Sequence, residues 1–310
     1  MIRLVINTND DIKKDIGLAV AIGNFDGMHL GHLQLINQLK FIAKKKNYTS
    51  AIVMFYPLTH EYLHGYNHKK RISLIRDNIN FLKTKNLVDQ VILIHFNSYI
   101  SNQSQKEFTE KILIEKLNVK HVVVGYDFSY GYKSSGNINS LKQLNITTSE
   151  VSPYQIDNNI ISSSLIRSLI LKGDFETAVK YLGHPLTFTG RATYGKQLSR
   201  TANIPTANIK LNKINLILQG VFSSYLYVNN TKYCAITNIG KRPTLNSDQN
   251  DHIETHILNC DNKINLYGNV ITLEPVKYIR SEKKFDNQSQ VFLQIQQDIM
   301  IANNHFKLYC

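Results

Sequence analysis

Gly23-Asn24-Phe25-Asp26-Gly27-Met28-His29-Leu30-Gly31-His32 is the stretch that decides how this chain folds. The apolar run Leu18-Ala19-Val20-Ala21-Ile22 leads into it and predicts a buried strand, while Leu33, Ile36, Leu39 and Ala43 lead out of it at helical spacing. Strand, glycine-punctuated turn and helix make a βα unit. The helix N-terminus of such a unit offers unpaired N–H groups and a partial positive charge to an anion, above all a phosphate. His29 and His32 stand three residues apart, a spacing that puts both on one helix face and aims them at one object. Glycines at 23, 27 and 31 let the backbone approach that object closely. The plain alternative is a turn with two solvated histidines. A lone H-x-x-H would favour it, but strand, glycines, paired histidines and helix together favour the anion site.

Outward from this turn, strand-like and helical patterns alternate to about residue 183. Strand-like runs fall at 18–22, 51–56, 91–96 and 121–124, with helical patterns near 32–46, 71–86 and 104–117. Short apolar strands separated by amphipathic helices predict a parallel sheet with helices on both faces, and such sheets bind ligands beyond the carboxyl ends of their strands. Two later loops share that position. One is Gly125-Tyr126-Asp127-Phe128-Ser129-Tyr130-Gly131 and its continuation to Gly136, which suits a flat heterocycle or is a plain glycine-rich connection. The other is Ile161-Ser162-Ser163-Ser164-Leu165-Ile166-Arg167, where serines cap a helix and Arg167 adds a cation suited to phosphate oxygens. Asp174 caps a last short helix that Gly183-His184-Pro185 ends, which sets the expected boundary: domains 1–183 and 184–310.

Beyond it the pattern alternates as strands do, at 186–194, 221–228, 232–237, 253–258 and 270–279, with Asn229-Asn230 as a hairpin turn. Pro205, Pro243 and Pro275 are expected at turns or edges. Only 289–302 has helical spacing, so the second half predicts a small six-stranded, Greek-key-like β-barrel with a C-terminal helix. Three places there can carry chemistry. Pro205-Thr206-Ala207-Asn208 offers a hydroxyl and an amide oxygen two residues apart on one face of an extended segment, hard ligands suited to Mg²⁺, with a plain turn as the alternative. The second is the polar loop Asn238-Ile239-Gly240-Lys241-Arg242-Pro243-Thr244. In the third, Glu254-Thr255-His256, the carboxylate is an outward-facing strand residue or a general base.

Composition narrows the class. Hydrophobic residues make up 43% of the 310 and charged residues 19%, which suits a globular protein with ample core. No run reaches the roughly 20 apolar residues of a membrane span, and the N-terminus turns polar too soon for a signal peptide. Three scattered cysteines imply neither a disulfide framework nor a zinc site, so a reducing cytoplasm is expected. The 36 Lys+Arg against 23 Asp+Glu leave +13, which would serve nucleic acid, polyanionic nucleotides or solubility.

These motifs resemble the bacterial bifunctional riboflavin kinase/FAD synthetases over nearly the whole chain. His29-Leu30-Gly31-His32 is similar to the H-x-G-H signature of a nucleotidyltransferase superfamily. Residues 125–131 resemble G-x-D-F-x-F-G with Tyr130 for the last Phe, and 161–167 resemble I-S-S-T-x-I-R with Ser164 for Thr. In the second half P-T-A-N is intact at 205–208, N-I-G-x-x-P-T at 238–244 and E-x-H-I-L at 254–258. The resemblance implies a Rossmann-like nucleotidyltransferase domain followed by a riboflavin kinase barrel. It implies ATP-dependent phosphorylation of riboflavin to FMN, then adenylylation of FMN to FAD with release of pyrophosphate. His29, His32 and Arg167 would stabilise charge in the second step, and Glu254 would take the proton of the ribityl alcohol in the first. Gly23, Asn24, Phe25, Asp26, Gly27, Gly125, Asp127, Phe128, Ser163, Gly195 and Asn238 would bind nucleotide or flavin. Thr206 and Asn208 would hold Mg²⁺, with ATP as co-substrate and FMN and FAD as product ligands. The expected partners are those small molecules, with no nucleic acid and no membrane, for a chain expected to be monomeric.

The chain also departs from the family pattern. The flap H-G-x-x-x-G-R-x-L-G-F-P reads with Tyr194 for His, Ser199 and Asn203 for two glycines, and Ala202-Asn203-Ile204 for Leu-Gly-Phe. H-I-L-D-F ends in Asn259-Cys260, and F-x-P-H-P reads Phe55-Tyr56-Pro57-Leu58-Thr59. A stiffer flap weakens ATP binding or slows closure, so a second reading leaves only the adenylyltransferase half fully active.

Overall fold

The computed structural model describes residues 3–6, 17–66, 68–194, 206–210, 215–229, 231–241, 251–258, 266–283, 285 and 287–306. Gly195, the rest of the flap to Pro205, residues 242–250 and Asn259-Cys260 lie outside them, and of Thr206 only the backbone is described. The chain forms two compact units, Met1–Lys69 with Asn78–Leu165, and Lys70–Asp77 with Ile166–Cys310.

The first unit is built on six strands: β1 (Arg3–Ile6), β2 (Leu18–Ile22), β3 (Thr49–Tyr56), β4 (Gln90–His95), β5 (Val119–Gly125) and β6 (Thr147–Val151). They pair in the order β1-β4-β3-β2-β5-β6, parallel throughout. Every residue of β2 is buried, as a strand covered on both faces must be. From β2 the chain moves to β3 on one side, and from β5 to β6 on the other. The order therefore switches between β2 and β5, the place where open α/β sheets leave a crevice at their carboxyl ends. The loops leaving these two strands are the two glycine-bearing segments singled out above.

Helix α1 (Leu30–Lys46) buries Leu35, Ile36, Leu39, Ile42 and Ala43 and carries Lys44, Lys45 and Lys46 in its last turn, where cations suit the helix dipole. Then come α2 (Thr59–His64), α3 (Ile75–Thr84), α4 (Ser98–Ser101) and α5 (Gln105–Glu107), which runs into a π-helix over Phe108–Lys116. The helix expected over 71–86 starts late. Arg71 N–H donates to the Asn215 carbonyl at 2.7 Å and Ile217 N–H to the Arg71 carbonyl at 2.8 Å, so tertiary pairing holds 71–74 out of the helix. After α6 (Ile138–Gln143) a small hairpin, β7 (Gln155–Ile156) and β8 (Asn159–Ile160), turns at Asp157-Asn158, both at positive φ. Helices α7 (Ser163–Leu171) and α8 (Phe175–Leu182) follow. The latter is capped by the Asp174 carboxylate and ended by left-handed Gly183, as its sequence indicates.

The second unit is a closed antiparallel barrel of β9 (Phe188–Tyr194), β10 (Thr206–Lys210), β11 (Gly220–Val228), β12 (Thr231–Lys241), β13 (Asp251–Ile257) and β14 (Val270–Arg280), in the order β10-β13-β12-β11-β14-β9. Residues 206–208 lie in β10, so the segment is extended as the Mg²⁺ reading has it, and the plain turn is the alternative that fails. Pro275 corrects a second expectation. A closed barrel has no edge, so this proline, which lacks an N–H, sits inside β14 opposite Ser224, where the register against β11 shifts. Ala207, Ile209, Thr237, Ile239, Ile253 and Thr255 are buried along alternate positions, and the Thr237 and Thr255 hydroxyls satisfy one another at 2.9 Å. Helix α9 (Gln288–Phe306) packs Ile299, Ala302 and Phe306 on Val221, Ile236 and Leu258.

Candidate active sites

In the first unit the turn from Gly23 to His29 is tied down on several sides. Phe25 and Met28, both buried, take positive φ of 48° and 45°, a conformation that costs bulky residues of order 1 kcal/mol or more and marks a constrained turn. Asn78 Nδ2 donates to the Phe25 carbonyl at 2.9 Å, and Ser163 Oγ donates to the Asp26 carbonyl at 2.8 Å. Asn24 Nδ2 donates to Thr59 Oγ1 at 3.1 Å. Asn78 and Thr59 are the supporting residues that sequence reasoning missed, since nothing local signals a contact made 35 or 53 positions away.

The histidine pair differs from its sequence reading in one respect. His29 is not a helical residue but the N-cap of α1: its Nδ1 accepts the His32 backbone N–H at 3.3 Å. The two rings stack with centroids 3.6 Å apart and an interplanar angle of 20°, and Phe25 stands 5.1 Å from the His32 ring. Burial, and then the repulsion it would meet from a protonated His29, hold the His32 pKa well below its ordinary value, so its imidazole is neutral at physiological pH. Its buried Nδ1 has no hydrogen-bond partner among the described residues. Gly31 has a packing reason as well: a Cβ there would lie 3.2 Å from the His29 ring and 3.1 Å from the Ile161 carbonyl.

The loop after β5 keeps Asp127 exposed and stacks Phe128 on Tyr130 at 5.4 Å. The Tyr130 hydroxyl is 2.9 Å from Thr109 Oγ1 on the π-helix, which gives this phenol a partner that a Phe would not need. Ser162 Oγ accepts the Leu165 N–H at 3.2 Å, the capping role that its position suggests. Arg167 falls in the second unit, where its Nε donates to the Lys70 carbonyl at 2.8 Å.

In the barrel, strand register brings together residues that the sequence keeps apart. Asn208 on β10 and Asn238 on β12 are both directly opposite Glu254 on β13, and directly opposed residues share a face. That row alternates with the buried interior row and so faces outward. Asn208 is 3% exposed, yet neither end of its amide has a hydrogen-bond partner among the described residues. A buried, unsatisfied amide is costly and fits a missing polar ligand. Beside the row opens a cavity of about 230 Å³, with Glu254, His256 and Glu282 among its polar lining and Phe285, Val291 and Ile295 among its apolar lining. One wall is fixed by Arg280: its Nε and Nη2 grip the buried Asp298 carboxylate of α9 at 2.9 and 2.6 Å. Glu282 accepts from Asn238 Nδ2 at 3.3 Å. Neither Glu282 nor Arg280 was singled out in the sequence; both lie in a stretch without a local motif. Gly195 lies outside the described residues.

A family model described as FAD synthetase matches residues 11–165, and one described as riboflavin kinase matches residues 182–306. The bifunctional riboflavin kinase/FMN adenylyltransferase of Buchnera aphidicola (subspecies Schizaphis graminum) is 36% identical over 313 residues, covering 99% of this chain and 99% of that protein. The chain belongs to this family. The Haemophilus influenzae protein of the same description is 32% identical over 311 residues, covering 99% of each chain. A solved structure described as a macrolide-efflux protein from Streptococcus pneumoniae covers 98% of this chain and 99% of its own, at 27% identity and a TM-score of 0.79. No helix among the described residues here is long and apolar enough to cross a membrane. Both halves match a family model, so the reading in which only the adenylyltransferase half is fully active finds no support in these likenesses.

Proposed function

We propose that the two activities of the family divide between two sites, riboflavin phosphorylation on the barrel and FMN adenylylation at the β2–α1 turn. The functional halves are then residues 1–183 and 184–310, with 70–77 and 166–183 belonging to the first by function while packing in the second compact unit. The observation that carries this assignment is the outward row of Asn208, Glu254 and Asn238 beside a cavity with an apolar wall. An alcohol is a poor nucleophile until its proton has somewhere to go, and Glu254 is a carboxylate in place to take it. The terminal ribityl oxygen attacks the γ-phosphorus of ATP, its bond to phosphorus forms as the bond to the β-phosphate oxygen breaks, and Glu254 holds the proton. The flavin ring lies against Phe285, Val291 and Ile295.

The residues present fit Mg²⁺. Asn208 Oδ1, which has no hydrogen-bond partner among the described residues, is a hard oxygen ligand, and Thr206, two positions before it on the same face of β10, is the second. Bound there with ATP, the ion would neutralise phosphate charge. Gly195 would belong to the flap over the nucleotide.

Adenylylation needs no base, because the FMN phosphate is already ionised at neutral pH. Its demands are alignment of two anions and stabilisation of the charge that develops on the α-phosphate and pyrophosphate. His29 and His32 supply ring N–H donors beside the N–H groups that begin α1; Arg167, in the second unit, is the cation that the family resemblance assigns to this step. Gly23, Asn24, Phe25, Asp26, Gly27 and Ser163 shape the phosphate turn, while Gly125, Asp127 and Phe128 bound the crevice for nucleotide or flavin. The setting is the cytoplasm, where the substrates are riboflavin, FMN and ATP.

Incubating pure protein with riboflavin, ATP and Mg²⁺ and separating the flavins tests this directly. FMN and FAD should both form. FAD appearing only from supplied FMN would overturn the barrel assignment.

A further inference from the structure

We propose that Asn78 is a positioning residue for adenylylation: from α3 it holds the Phe25 carbonyl, and through it the turn that delivers His29 and His32 to the start of α1. The inference rests on the reading of the β2–α1 turn as the adenylylation site. Asn78 stands 53 positions from Phe25, outside the motifs quoted above, and both residues belong to the first compact unit.

The turn does not keep its shape by local means. Phe25 and Met28 are buried, bulky residues at positive φ, a region that such side chains leave unless their surroundings fix them. The backbone bond that spans them, from the Met28 N–H to the Phe25 carbonyl, is 3.4 Å long, against about 2.9–3.0 Å for an ordinary N–H···O bond. The same carbonyl accepts Asn78 Nδ2 at 2.9 Å, so the side chain from α3 is the closer of these two partners. A peptide unit is planar, and a fixed carbonyl therefore fixes the whole plane between Phe25 and Asp26. Ser163 Oγ, at the first residue of α7, does the same for the next plane through the Asp26 carbonyl at 2.8 Å.

Both histidines depend on these planes. The Phe25 ring stands 5.1 Å from the His32 ring, so a change in Phe25 φ moves the surface against which His32 packs. His29 follows three residues after Asp26; its Nδ1 accepts the His32 N–H at 3.3 Å and its ring stacks on His32 at 3.6 Å. Asn78 is 3% exposed, so water does not replace its donor when the amide is removed. Its helix is braced on the same unit at the other end as well. Lys40 Nζ of α1 donates to the Asn86 carbonyl, two residues beyond α3, at 2.8 Å. Helix α3 thus grips the turn with its first residues and α1 with its far end.

What this hold changes is the reaction rather than the binding. An FMN phosphate oxygen bonds to the α-phosphorus of ATP as the bond from that phosphorus to the bridging oxygen breaks and pyrophosphate leaves. The charge that the ring N–H donors meet develops only along that step. Donors displaced by about an ångström still meet the ground-state phosphates but are misaligned for the transition state.

Two variants test this. Asn78→Leu keeps nearly the same volume and has no N–H. Asn78→Ser stays polar, but its hydroxyl stops one bond short of the carbonyl. Each is assayed for FAD formation from supplied FMN, ATP and Mg²⁺, and for FMN formation from riboflavin by the same chain. In both variants kcat for FAD formation should fall about tenfold or more, with KM for FMN and ATP within about threefold and FMN formation unchanged. A purely structural role would lower both activities together and leave no such split. Parent-like kcat in either folded variant, a raised KM at unchanged kcat, or equal loss of the two activities overturns the inference. His32→Ala separates the two readings: it keeps FAD formation if the turn is not the adenylylation site, and loses it while the Asn78 variants stay active if only the positioning role is wrong.

Discussion

Asp77 gives the sharpest test of the energetics. It lies in α3, is 5% exposed, and accepts the Thr189 backbone N–H of β9 with its two oxygens at 3.0 and 3.2 Å. Burial pushes its carboxyl up from 3.8 to about 6, against the pull of the Thr189 hydrogen bonds and the Arg76 charge. A raised folded-state pKa means that the native state binds the proton more tightly than the unfolded chain does. The associated stability is present below pH 3.8 and is lost as pH rises through about 6. At about 1.4 kcal/mol per pKa unit, the ionised carboxylate costs the fold about 3 kcal/mol at pH 8. Asp77→Asn keeps an oxygen for Thr189 and removes the charge. It should therefore be the more stable protein at pH 8, by about 1–3 kcal/mol, with the gap closing toward pH 4. Asp77→Ala leaves the Thr189 N–H without its acceptor and should lose about 1–3 kcal/mol. Urea titrations followed by far-UV circular dichroism at the two pH values measure this, and tyrosine emission is a second probe in a chain without tryptophan. An Asn variant less stable than the parent at pH 8, or a gap that does not change with pH, would refute the reasoning.

His32→Ala should lower FAD formation by about a hundredfold or more and leave FMN formation intact, both read by separating the flavins; equal loss of the two would mean that the domains are misassigned. Glu254→Gln should do the reverse, lowering FMN formation by about 10²- to 10⁴-fold while supplied FMN is still adenylylated. Asp298→Asn leaves the Arg280 guanidinium, whose side chain is 17% exposed, without its buried counter-charge. It should destabilise the barrel by about 3 kcal/mol, seen as a lower urea midpoint, and weaken riboflavin binding through the loosened wall of the cavity.

How much of this was legible in the sequence depends on whether the signal is local. The β2–turn–α1 unit was, because a fully buried parallel strand needs an unbroken apolar run and the helix after it needs one apolar stripe. Strands β13 and β14 were, because buried and outward residues alternate along them. What tertiary pairing decides was not. Residues 71–74 carry helical spacing, but Arg71 pairs with Asn215 and Ile217 instead. The segment 206–208 reads as extended or as a turn, and its place between β9 and β13 decides for the strand. The helical pattern at 104–117 is a π-helix over most of its length, and there Thr109 Oγ1 bonds back to the Gln105 carbonyl at 2.7 Å, a side-chain competition with the backbone ladder that spacing does not show.

The first site was legible as residue types but not as protonation states, and the difference bears on mechanism. Two histidines at a helix N-terminus read as a pair aimed at one phosphate, with no charge state attached. The geometry argues for neutral donors. His29 Nδ1 accepts the His32 N–H, so its ring proton sits on Nε2, and His32 is kept neutral by burial and by its stacked neighbour. Two imidazolium rings could not stack at 3.6 Å without strong repulsion. Positive potential at this turn therefore comes from the N–H groups of α1, with the imidazoles adding directed hydrogen bonds. Such donors stabilise charge that appears during the reaction without holding the ground-state phosphates as tightly as fixed cations would, which raises turnover rather than affinity alone. A site of this kind suits a nucleophile that arrives already ionised; on the proposed division of labour the proton of an alcohol nucleophile falls instead to Glu254 on the barrel.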